Sequence, residues 1–66
     1  MDHLDQLLQA YDQLKVTGIK KFGSEEAWKG WMHMPNPAFD NVAPTVVCGS
    51  VAGIKTVELV INNLSL

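Results

Sequence analysis

Two prolines one residue apart, Pro35 and Pro37, limit this chain more than any other feature. Neither can donate a backbone hydrogen bond, and each pushes the residue before it out of helical conformation. Asn36 is therefore extended, and no regular element runs through Pro35-Asn36-Pro37. The sequence is left with a front half and a back half that must pack across a stiff connector. Proline has little backbone freedom to lose, so this connector is inexpensive to order.

In the front half Leu4, Leu7, Leu8, Tyr11 and Leu14 fall at i, i+3, i+4, i+7 and i+10. That spacing predicts an amphipathic helix from Asp2 to about Val16, with Thr17-Gly18 as its stop. Asp2 and Asp5 suit its positive first turn and Lys15 its negative last turn. Ile19 and Phe22 extend the apolar face in a looser turn. Ser24 reads as an N-cap, followed by Glu25 and Glu26, and a second helix runs from there to about Met34. Ala27, Trp28, Trp31 and Met32 mark its apolar face. Trp31 is expected in the core. Trp28 is divided between core and partner surface, because tryptophan is enriched in binding hot spots.

In the back half Ala38 to Asn41 reads as a turn, with Phe39 able to tuck into the core. Pro44 fits the first position of a short helix ending near Cys48. Gly49-Ser50 interrupts, and Ser50 can cap the next element. Ile54, Val57, Val60, Ile61 and Leu64 then match helical spacing. The same tail is rich in β-branched residues from Thr56 to Ile61, which also suits a buried strand, and periodicity alone leaves both open.

Composition removes several classes of function. The chain has 66 residues and one cysteine, so it is at most one domain and has no internal disulfide. All five basic residues are lysines, the net charge is −2, and no basic stripe exists. Direct nucleic-acid binding is therefore not expected. No apolar run approaches the length of a membrane span, no signal peptide is evident, and a cytoplasmic location is expected. Cys48, His33, His3, Ser24 and Ser50 form no recognisable nucleophile–base or metal-ligand spacing, so neither catalysis nor a cofactor is expected. Cys48 among apolar neighbours reads as a small hydrophobe, and His33 as an exposed histidine near a helix end. Charged residues make up only 18% of the chain against 47% apolar. The usual charged share is about 25%, so some apolar surface should remain for a partner.

From Phe22 onward, ordered landmarks accumulate. Phe22-Gly23 precedes Glu25-Glu26-Ala27; Trp31-Met32 follows; then come Pro35-Asn36-Pro37-Ala38-Phe39, Pro44, Gly53 nine residues later, and Val57, Val60 and Ile61. In this order they resemble the C-terminal toxin-binding domain of Xre/MbcA/ParS-type antitoxins. The resemblance implies an all-α fold, a small bundle of three to four helices with a Pro-rich connector, and thus a helical tail. It divides the chain into an N-terminal helix and turn, residues 1–21, and the antitoxin-like domain, residues 22–66. The short helix departs from the family pattern, with Thr45-Val46-Val47-Cys48 where an acidic residue and leucines are usual. About twenty residues precede Phe22, too few for the helix-turn-helix of longer family members.

The function so implied is a non-catalytic module that masks a RES-domain toxin, an enzyme acting on NAD. The expected partner surface takes Trp28 and the connector residues Pro35, Asn36, Pro37 and Phe39. It adds Ile54, Val57, Glu58, Ile61 and Leu64 from the final helix. In family members the C-terminal end can reach the toxin's active site, which would here involve Asn62 to Leu66. The leucine face of the first helix either covers the core or forms a homodimer. The alternative function is a self-assembling structural or regulatory protein, from a mobile element, that keeps the fold without a toxin.

Overall fold

The computed structural model describes residues 3–65, with His3 described by its backbone. Asp2, expected in the first helical turn, and Leu66, expected at the partner-reaching end, lie outside the described residues. The elements in order are α1 (His3–Phe22), α2 (Glu25–Met32), a 3-10 turn (Pro37–Phe39), α3 (Pro44–Val47) and α4 (Val51–Asn62). The described residues contain no strand, so the tail is helical and the strand alternative is lost.

α1 does not stop at Thr17-Gly18 as the sequence suggested. It continues for another turn, because neither residue acts there as a breaker. The Thr17 hydroxyl donates to Glu58 Oε2 on α4 at 3.0 Å, so it does not compete with the helix backbone. Gly18 is buried against Trp28: a Cβ built on it would overlap Cδ1 and Nε1 of the indole. The true stop is Gly23. Its φ of 89° is a left-handed conformation that glycine adopts freely, and its N–H donates to the Ile19 carbonyl at 2.8 Å.

α2 starts at the expected cap, with Ser24 Oγ accepting from the Ala27 N–H at 3.1 Å. It ends at Met32, two residues short of the expected Met34. His33 closes it, with ring Nδ1 2.9 Å from the Lys29 carbonyl. α2 packs across α1: Lys15 meets Glu25 at 3.5 Å, Gly18 faces Trp28, and the Tyr11 ring meets Trp28 at a tilt of 54° with centroids 6.0 Å apart. Lys15 and Lys29 hold the exposed Glu25 carboxyl below its usual range. This contribution is present at neutral pH and fades as pH falls through that lowered value.

α4 lies beside α1 in the same direction. Ala10 and Gln13 border a depression with Val51 and Lys55, Thr17 reaches Glu58, and Lys20 and Lys21 border another with Asn62. Two negative helix ends thus sit together, and α4 has no basic residue in its last turn. The two lysines of α1 complement both ends. Leu14, Trp28, Met32, Ile54, Val57 and Ile61 form the core, with Leu7, Ala10, Ile19, Phe22, Trp31, Phe39, Val47 and Cys48 packed around it.

α3 packs onto the first turn of α4. Ser50 caps that turn, its Oγ accepting from the Gly53 N–H at 3.0 Å. Gly53 itself faces the Val47 carbonyl, where a Cβ would overlap the oxygen. Gly53→Ala is expected to cost about 1–2 kcal/mol, the overlap being partly offset by better helix propensity. Ser50→Ala is expected to cost about 1 kcal/mol through the lost cap. Urea titrations followed by circular dichroism measure both. A Gly53→Ala protein at least as stable as the parent would show that the α3–α4 turn yields freely.

Candidate functional site

The expected partner residues separate into two groups. Trp28 and Ile54 are 1% exposed, and Val57 and Ile61 are fully buried. These four are core residues, and their expected place on the partner surface is corrected. The reason lies in α4. Ile54, Val57 and Ile61 follow one another at i, i+3 and i+7, and this is the stripe that packs on α1. Helical spacing marks such a stripe without saying whether a neighbouring helix or a partner covers it. The structure also settles Trp28, left divided between core and partner surface, in the core and moves Trp31, expected in the core, outward. Trp28 is the buried one, because Gly18 leaves room for its indole. Trp31 is half-buried and stacks on Phe22 at 5.5 Å.

The other residues reach the surface. Pro35 and Pro37 are exposed; Asn36, Phe39, Glu58 and Leu64 are half-buried. The connector is held in shape by Asn36. Its side-chain Oδ1 accepts from the Ala38 N–H at 2.9 Å, and its carbonyl accepts from the Phe39 and Asn41 N–H groups, each at 2.9 Å. Its own N–H donates to the Val42 carbonyl at 3.3 Å, which closes an isolated antiparallel bridge. Asp40 and Asn41 take positive φ values of 58° and 66°, a conformation their short polar side chains tolerate. The loop is pre-formed, so little ordering is needed when a partner meets it.

Three exposed apolar residues border the connector in sequence: Met34, which is 63% exposed, Val42 and Val46. Sequence reading missed all three as surface residues. Met34 carried a signal, since it lies between the end of α2 and Pro35, where no helix can carry it inward. Val46 carried none, because its short helix offers too few turns to define a face.

Glu58 is placed differently. It joins α1 to α4 through Thr17, and exposed Val16 and Leu59 flank it. Thr17→Val is expected to cost about 1 kcal/mol by leaving the half-buried carboxylate without this donor. A thermal melt unchanged from the parent would assign Glu58 no part in joining the helices.

Reactive chemistry finds little support in the geometry. Cys48 is half-buried beside the core, and burial pushes its thiol pKa up, away from the reactive thiolate. Burial also raises Tyr11. The described residues contain no group of three histidine, cysteine or carboxylate side chains able to hold a metal ion. No described helix is long and apolar enough to cross a membrane.

Against protein-family models, residues 18–65 match the C-terminal toxin-binding domain of the antitoxins Xre, MbcA and ParS. The chain belongs to the Xre/MbcA/ParS antitoxin family. No curated protein and no solved structure matches it. Membership gives this toxin-binding domain a protein toxin as its partner. The matched span begins at Gly18, inside α1, and includes the connector, α3 and α4. It includes every fully buried core residue except Leu14, which lies one turn upstream. The domain therefore closes its core with residues that precede the matched span.

Proposed function

We propose that this domain neutralises a RES-type toxin, an enzyme acting on NAD, by covering it sterically in the cytoplasm. The family match carries the reading, and the resemblance of its landmarks to antitoxins of RES toxins supports that choice of partner. The pre-formed connector suits such a role. It presents Pro35 and Pro37 with Met34 and Val42 beside them, while Asn36 holds the backbone. An interface of ordinary size buries about 800 Å² on each partner. The connector alone is too small for this, so the proposed interface takes in Phe39 beside it and, elsewhere on the surface, Glu58 and Leu64. The domain acts by exclusion and needs no catalytic group of its own.

Co-expression with the RES-domain toxin of the same operon tests this, with cell growth and co-purification as readouts. The parent domain restores growth and is recovered with the toxin. Met34→Asp with Val42→Asp, at two exposed sites, keeps the helical circular dichroism and weakens binding about thirtyfold or more, as loss of a hot spot does. Recovery of the domain alone, together with unrelieved toxicity, rejects the proposed toxin class. Full neutralisation by the double variant moves the interface away from the connector.

A further inference from the structure

The N-terminal half of α1 carries an apolar stripe that the fold leaves open at Leu4 and Leu8 and covers in part at Tyr11. Leu4, Leu8 and Tyr11 stand at i, i+4 and i+7 and so share one face of the helix. Leu4 is 64% exposed and Leu8 56%. Trp28 of α2 meets Tyr11 at 6.0 Å, and α2 ends one turn later at Met32. The stripe lies upstream of Gly18, outside the residues that match the toxin-binding family, so its use goes beyond the toxin reading.

The charges around the stripe narrow what can cover it. Asp5 and Asp12 are exposed on one flank, the side away from buried Leu14. Between Leu4 and Leu14 the helix has no lysine or arginine, and Lys15, the first, already meets Glu25. Among the described residues neither Asp5 nor Asp12 has an ion-pair partner. A second copy packed antiparallel is therefore a poor occupant. Two α1 helices packed antiparallel about a two-fold axis lay identical flanks side by side. That seam would collect Asp5 and Asp12 from both chains with no lysine or arginine between Leu4 and Leu14 to answer them, and like charges across an interface oppose association. An anionic lipid surface is opposed for the same reason.

We infer that the Leu4–Leu8–Tyr11 stripe docks an amphipathic helix of a second protein, whose apolar face is rimmed by lysine or arginine. The apolar surface supplies the attachment, and Asp5 and Asp12 fix which side of the incoming helix faces them.

Two synthetic helical peptides test this. Both carry the same leucine stripe, one rimmed by lysine and the other by glutamate. Each is titrated into the full chain while tryptophan fluorescence is followed. The lysine-rimmed peptide is expected to bind at least about tenfold more tightly at low salt, and to lose that advantage at high salt as exposed charges are screened. Asp5→Lys with Asp12→Lys reverses the preference, and Leu4→Ser with Leu8→Ser abolishes binding, both with unchanged circular dichroism. Equal binding of the two peptides overturns the inference, as does lysine-peptide binding that survives both double substitutions. A dimer seen by light scattering and dissolved by Leu8→Ser also overturns it, because a second copy then fills the stripe. None of these readouts involves a toxin, so they stand apart from the test of neutralisation.

Discussion

Trp28→Ala is expected to leave most of the chain unfolded at room temperature. The indole is the largest fully buried side chain and stands where α1 and α2 meet. Removing a buried tryptophan costs about 3–5 kcal/mol. A single core in a domain of this size supplies about 3–5 kcal/mol in total, so the substitution consumes nearly all of it. The packing carries this ring without polar help, because Nε1 is buried and has no hydrogen-bond partner among the described residues. Trp28→Phe is therefore milder than the lost area alone suggests: it discards an unpaired donor that itself costs about 1–3 kcal/mol. Circular dichroism melts report the outcome, with Trp31 fluorescence as a second probe. An alanine variant that melts cooperatively within a few degrees of the parent would show that the indole is not the keystone of this core.

Gly18→Ala is expected to destabilise the domain by about 2–3 kcal/mol, although alanine is the better helix former. On an exposed helix this change stabilises by up to about 1 kcal/mol. Here the new methyl group meets three atoms of the Trp28 ring, which is itself buried in the core. The sign of the effect distinguishes the two situations. Combining Gly18→Ala with Trp28→Phe provides a sharper check, because the smaller ring vacates part of the contested space. The pair should then cost less than the sum of the single changes, by about 1 kcal/mol or more. Strict additivity in urea titrations would mean that the two sites do not touch.

The same contact explains where the sequence could be read and where it could not. Local rules were enough wherever a residue's role is settled by its near neighbours. Ser24 and Ser50 cap their helices, Pro35 and Pro37 break the chain, and Pro44 opens a short helix. Gly18 obeys no local rule. It reads as a stop until a tryptophan ten residues later is found against it, and only the packing of α2 reveals that. α4 presents the same difficulty in another form. Ile54, Val57 and Ile61 were legible as one face, but a face bound for the core and a face bound for a partner have the same pattern. The connector's place at the surface was legible in its prolines, whereas exposed Val46 had no periodicity to betray it.

The direction in which α4 lies beside α1 has a consequence for how the chain is made. Side-by-side helices of the same sense need a full crossover between them, and here α2, the connector and α3 supply it. The Thr17–Glu58 hydrogen bond accordingly spans 41 positions. Helical proteins usually gain most of their contacts locally and fold early for that reason. Here α1 and α2 can pack locally, but the α1–α4 seam must wait for the last helix. While the chain is being synthesised, Leu14 waits for Val57 and Ile61, and until they emerge the inner face of α1 stays open to water, proteases and other chains. A ribosome that halts before the last helix releases a product with no closed core.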